Sequence, residues 1–117
     1  MEAIPDYQGA ARIPGRSAAP AFTRPELDRI LRLYGQFVAA GEWRDYAIDV
    51  LKDAAIFSVF RRASEMPLYR IEKRPRLAGR QGAYMVVSMT GAILKRGHEL
   101  DQVLRIFDRQ RLRLAAE

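Results

Sequence analysis

Nine basic side chains stand between Arg61 and Arg96: Arg61, Arg62, Arg70, Lys73, Arg74, Arg76, Arg80, Lys95 and Arg96, against two acids, Glu65 and Glu72. The rest of the chain is balanced. Met1 to Phe60 carries seven basic and eight acidic residues, and Gly97 to Glu117 four of each, so the net charge of +6 is local to the middle segment. Guanidinium and ammonium groups at this density attract phosphates or carboxylates, whereas evenly scattered charge would serve mainly solubility. The densest part is Lys73-Arg74-Pro75-Arg76-Leu77-Ala78-Gly79-Arg80, four cations in eight residues. Its glycines do not form a phosphate-cradling loop, because Gly79 and Gly82 precede a strand pattern rather than a helix and no Gly-Lys-Ser/Thr follows.

Other residues with chemical potential are sparse. The absence of cysteine removes disulfides, thiolate metal sites and thiol nucleophiles. His98 is the sole histidine, at the start of a helix pattern, and reads as a capping or surface residue. Glu99 and Asp101, two residues apart, do not share a helical face, so no metal site is expected. Glu42, Asp45, Ser58 and His98 are the residues an enzyme would have to use, but they form no recognised constellation. No catalytic residue, cofactor or enzymatic activity is expected. Trp43 and Tyr46 read as anchors between a helix and a sheet, with Arg44 paired to a carboxylate.

The elements that must position the cations follow from periodicity. Residues 1–21 are rich in Ala, Pro, Gly and Arg without period and are expected to be a disordered tail. Thr23 and Glu26 form a capping-box pattern, with Phe22 and Leu27 as a hydrophobic staple. Leu27, Ile30, Leu31, Tyr34, Phe37 and Val38 then recur at helical spacing to about Ala40, and Gly41 is placed for a left-handed cap. Tyr46, Ile48 and Val50 alternate as a strand. Apolar runs at Ala55 to Arg62, Leu68 to Lys73, Ala83 to Met89 and Ala92 to Arg96, joined by short turns, extend an antiparallel meander of four to five strands. Leu100, Val103, Leu104, Phe107 and Arg111 return to helical spacing. The expectation is one α+β domain over residues 22–113, with an N-terminal helix, the meander and a C-terminal helix, followed by a short tail at 114–117.

The register of the Ala55 to Lys73 hairpin is open from sequence. In one register Ile56, Phe60, Tyr69 and Ile71 make the core face. In the other it is Phe57, Val59, Tyr69 and Ile71, and Ile56, Phe60 and Leu68 share the opposite face with Arg62 and Arg70. Either way one face mixes aromatics with arginines, a combination that stacks bases and neutralises phosphates. Arginines that merely fringe an edge to prevent aggregation are the competing explanation.

The stretches GEWRDYAID from Gly41 to Asp49, FSVFRRASEMPLYRIEKRP from Phe57 to Pro75, RQGAY from Arg80 to Tyr84 and LKRGHEL from Leu94 to Leu100 resemble a bacterial family known as domain of unknown function 2794. The resemblance implies a small cytoplasmic bacterial protein and brings no activity, ligand or catalytic residue with it.

The functional expectation is a non-enzymatic binding protein whose nine cations engage nucleic acid, RNA first, or an acidic protein. The alternative is an adaptor or small subunit using the same mixed face, including pairing of two copies through the sheet. No stretch approaches the roughly 20 apolar residues of a membrane helix, so no membrane partner is expected and the compartment expected is the cytoplasm.

Overall fold

Thr23 and Glu26 do what their spacing predicts. In the computed structural model, which describes residues 19–62 and 65–116, helix α1 runs over Arg24–Ala39 with Thr23 as N-cap. The Thr23 hydroxyl accepts from the Glu26 N–H at 3.2 Å and the Glu26 carboxylate accepts from the Thr23 N–H at 2.7 Å, closing the capping box. The helix ends on Gly41 at φ 79, where the Gly41 N–H reaches the Val38 carbonyl and the Glu42 N–H the Phe37 carbonyl, both at 2.9 Å. Those two bonds are the Schellman pattern, which needs a residue tolerant of left-handed backbone. Residues 1–18 of the expected tail lie outside the described residues.

Five strands follow: β1 (Asp45–Val50), β2 (Ala55–Phe60), β3 (Tyr69–Lys73), β4 (Tyr84–Ser88) and β5 (Ile93–Gly97). They form one antiparallel sheet in sequence order, the meander expected from short connections. The basic loop after β3 contains a 3-10 turn at Pro75–Leu77. The second helical region is broken where one continuous helix was expected: α2 (Leu100–Leu104), a 3-10 turn (Arg105–Phe107) and α3 (Asp108–Ala116). Helical backbone thus reaches into the stretch assigned to a C-terminal tail.

The hairpin adopts the second of the two registers. Phe57 lies opposite Ile71 and Val59 opposite Tyr69, while Ser58 lies opposite Arg70. Since residues directly opposite share a face, Phe57, Val59, Tyr69, Ile71 and Val86 point one way, and Ile56, Ser58, Phe60, Arg70, Glu72, Met85 and Arg96 the other. The helices all cover the first face. Ile30, Leu33 and Phe37 of α1, Leu100, Val103 and Leu104 of α2, and Phe107 join Trp43 and the inward strand residues in a single core. Leu68 turns to this core rather than joining Arg70.

Trp43 stacks on Phe37 at 4.4 Å between ring centroids and meets Phe107 edge-on at 5.4 Å. Burying a side chain such as Phe37 completely contributes about 1.5–3 kcal/mol, so this cluster is a principal clamp of helices on sheet. Tyr46 stacks on Phe57 at 4.9 Å as an anchor of the same face, although it stays half-exposed. Arg44 forms no ion pair among the described residues, contrary to expectation; its carbonyl accepts from the Tyr34 hydroxyl at 2.7 Å.

Candidate functional site

The meander separates the nine cations. Arg61 and Arg62 follow β2 at the far end of the sheet, just past Phe60, which lies about 17 Å from Ala55 at 3.4 Å per strand residue, and Arg62 approaches Glu65 at 4.0 Å. Lys73 points to the helix face, where it is largely buried and donates to Glu26 at 2.7 Å and to the Ala21 carbonyl at 2.9 Å. It is a structural latch, unavailable to a macromolecule. Tyr84 also donates to the Glu26 carboxylate. Burial works to raise the Glu26 pKa, but hydrogen bonds from Lys73, Tyr84 and the Thr23 N–H outweigh it and hold the carboxyl below its ordinary value. Burial and the adjoining Glu26 push the Tyr84 phenol up to about 12.

Arg70, Arg74 and Arg96 share the face that none of the described helices covers. Glu72, buried at 3% exposure, takes the Arg70 Nε on one oxygen at 3.0 Å and the Arg74 Nε on the other at 2.8 Å. The three arginines and Phe60 are half-buried over Ile56, Met85 and Val87, which is how arginine stems laid along a sheet shield an apolar floor. Phe60 is the one aromatic among the described residues on this face. Tyr46, Phe57, Tyr69 and Tyr84 lie on the helix side, so the expected interleaving of aromatics with arginines is reduced to a single ring. A stacking platform for several bases is not formed by the described residues.

What the structure does assemble lies at the outer edge of β5. A groove of about 580 Å³ is lined by Gln81, Leu94, Lys95, Arg96, Gly97, His98, Gln102, Arg105 and Ile106. None of its described lining residues is a carboxylate. Arg96 donates through an Nη to the Gln81 side-chain oxygen, while its Nε is shielded from solvent and meets no acceptor among the described residues. Lys95 and Arg105 are exposed and form no ion pair among the described residues. Exposed cations without ion-pair partners beside a half-buried guanidinium favour an anionic ligand in this groove.

Local structure explains why these groups meet. The register slips between Val86 and Val87, so Val86 opposes Lys95 but Val87 opposes Ile93, and Leu94 bulges out of the ladder. Gly82, at φ 98, brings the basic loop against the backbone of Gly97 and His98, which sets Gln81 beside Arg96. The loop cation Arg80 precedes Gln81 and is exposed, and Arg76 lies 3.4 Å from Asp53.

Arg105 also borders a second groove, between α1 and the C-terminal helical region, lined by Arg29, Arg32, Leu33, Gln36, Asp101, Leu104, Asp108 and Arg111. Both acids there are engaged: Asp101 takes Arg29 in a two-pronged pair, with Nε at 2.7 Å, and Asp108 takes Arg111 at 2.8 Å. Arg32 and Arg105 remain without ion-pair partners among the described residues, so positive potential continues from the sheet edge across α2. Arg105 and Arg32 escaped the sequence reading because they belong to charge-balanced segments. The neutralising partners Asp101 and Asp108 are close in sequence but are spent on Arg29 and Arg111.

The residues considered for catalysis do not meet. His98 lines the β5 groove and a neighbouring cleft beside Glu26 and Tyr84; Glu42, Asp45 and Ser58 line neither. Among the described residues no group of three or more His, Asp or Glu side chains could hold a metal ion, and no helix is long and apolar enough to cross a membrane.

Compared with known proteins, residues 21–104 match a family model described as "Protein of unknown function (DUF2794)". No curated protein and no solved structure shows a significant match.

Proposed function

The chain belongs to the family of proteins of unknown function DUF2794, and because membership supplies no activity we propose, from its own side chains, a non-enzymatic module that binds an anionic macromolecule, RNA foremost. The ligand would run along the β5 groove and over Arg105. The observation that carries this reading is a groove that brings Lys95, Arg96 and Arg105 together with no carboxylate among its described lining residues, Lys95 and Arg105 standing free of ion pairs among the described residues. Continuity past Arg105 toward Arg32 favours a polymer over a single small anion. The amides of Gln81 and Gln102 supply neutral donors and acceptors suited to sugar hydroxyls and phosphate oxygens. With Phe60 alone as an aromatic among the described residues of the open face, recognition is of the backbone and therefore tolerant of sequence.

The test is fluorescence anisotropy of a labelled single-stranded RNA against the full chain. Arg96→Ala and Arg105→Ala each weaken binding, while Arg61→Ala, at the opposite end of the sheet, leaves it unchanged. Equal loss in all three variants would indicate general charge attraction and defeat the assigned site. Displacement by polyglutamate as readily as by unlabelled RNA would favour the acidic-protein reading instead. Arg70 and Arg74 are unsuitable probes, because removing them strips the buried Glu72 of its partners and confuses binding with folding.

A further inference from the structure

The two edges of the sheet are guarded differently. β5 ends the sheet with a bulge and two cations, Lys95 and Arg96, devices that discourage a further strand from pairing. β1 has an unbroken six-residue register against β2. On its helix side Tyr46, Ile48 and Val50 are 46%, 42% and 54% exposed, although their cross-strand partners Val59, Phe57 and Ala55 are fully buried.

The backbone of β1 points the same way. Leu51 donates to the Ala54 carbonyl at 2.7 Å, and Arg74 to the Ala83 carbonyl at 2.6 Å. Hydrogen-bonded pairs alternate along antiparallel ladders, so both bonds set the same phase: Asp45, Ala47 and Asp49 bond inward to β2. The N–H and C=O groups of Tyr46, Ile48 and Val50 therefore face outward.

We propose that β1 is the edge through which two copies of this chain pair, antiparallel about a two-fold axis at Ile48. In that register Ile48 opposes Ile48 of the second copy and Tyr46 opposes Val50, each pair exchanging two N–H···O bonds, and an apolar row continues across the junction. Charge favours this alignment over the two adjacent ones. Asp49 then faces Ala47 and Asp45 faces Leu51 of the second copy. Moving the axis to Ala47 sets Asp45 against Asp49, and moving it to Asp49 sets that carboxylate against itself; like charges directly opposite destabilise a pair. Pairing of this kind is isologous and closes on itself. It leaves the β5 groove open at the far edge of each copy, so it stands or falls independently of anion binding.

Sedimentation velocity of the full chain across micromolar concentrations is expected to show a dimer. Ile48→Lys, at an edge position 42% exposed, is expected to give a folded monomer with an unchanged circular dichroism spectrum. The absence of cysteine permits a second readout that does not depend on destabilising the edge. Opposed Cα atoms of a hydrogen-bonded pair are about 5.5 Å apart, inside the disulfide range of about 4.4–6.8 Å. Ile48→Cys is therefore expected to cross-link under mild oxidation, and Leu94→Cys on the β5 edge is not. A wild-type monomer, a dimer that survives Ile48→Lys, or cross-linking through Leu94→Cys in preference to Ile48→Cys would each overturn the proposal.

Discussion

Glu26 performs two tasks, and replacing it in two ways separates them. It closes the capping box of α1, and it receives Lys73 and Tyr84 from β3 and β4. Glu26→Gln keeps a side chain that can complete a capping box but removes the charge facing Lys73, whose side chain is only 15% exposed. Hydrogen bonds to charged groups contribute about 1.5–3 kcal/mol, so a loss near 2 kcal/mol is expected. Glu26→Ala also removes the cap, worth about 1 kcal/mol, for a total near 3 kcal/mol. For a domain of this size each kcal/mol lowers Tm by about 4–8 °C, so Glu26→Ala should lower Tm by more than about 12 °C and Glu26→Gln by roughly two thirds of that. Urea denaturation at pH 7 measures the difference directly. Equal stability of the two variants, or a loss below about 1 kcal/mol in Glu26→Ala, would refute the view that Glu26 joins α1 to the sheet.

The pH dependence of this cluster follows from the directions of its shifts. Glu26 is held below its ordinary value, so its contribution is present above the unfolded carboxylate range and is lost as pH falls through the folded pKa; acid denaturation of Glu26→Gln should begin from lower stability but show a shallower slope. Tyr84 is raised to about 12, so its contribution is intact below the ordinary tyrosine value of 10 and is lost as pH climbs through about 12. Phenolate absorbance should show a tyrosine titrating near 12 that Tyr84→Phe abolishes. Gly82→Ala should destabilise strongly: left-handed backbone alone costs a side-chain-bearing residue about 1–2 kcal/mol, and the added Cβ would land on the carbonyl of Gly97. Thermal unfolding checks this, and a Gly82→Ala protein of wild-type Tm would contradict the close approach.

Local signals in the sequence translated directly into structure where one interaction decides the outcome. Thr23 with Glu26 and the position of Gly41 bounded α1, and alternation through Tyr46, Ile48 and Val50 identified a strand. The Ala55 to Phe60 strand was undecidable because Ile56, Phe57, Val59 and Phe60 offer apolar side chains on both faces. Tertiary packing of Phe57 and Val59 beneath α1 made the choice. Clustering in sequence overstated the binding site: Lys73 turned inward to Glu26, Arg70 and Arg74 were drawn onto Glu72, and Arg61 and Arg62 went to the other end of the sheet. Conversely Arg105, in a segment of balanced charge, became part of the groove because its acidic neighbours pair elsewhere. Charge counts along a chain carry no information about which ion pairs the fold will satisfy.

Anion binding at the β5 edge is tested most directly by the salt dependence of RNA affinity. If Arg32, Lys95, Arg96 and Arg105 each neutralise one phosphate, the logarithm of the association constant should fall with the logarithm of salt concentration at a slope of about −3, from roughly −0.7 per contact on single strands. The double variant Arg96→Ala, Arg105→Ala should reduce that slope by about half. Binding that is indifferent to salt, or a double variant with the wild-type slope, would contradict the assignment of the groove.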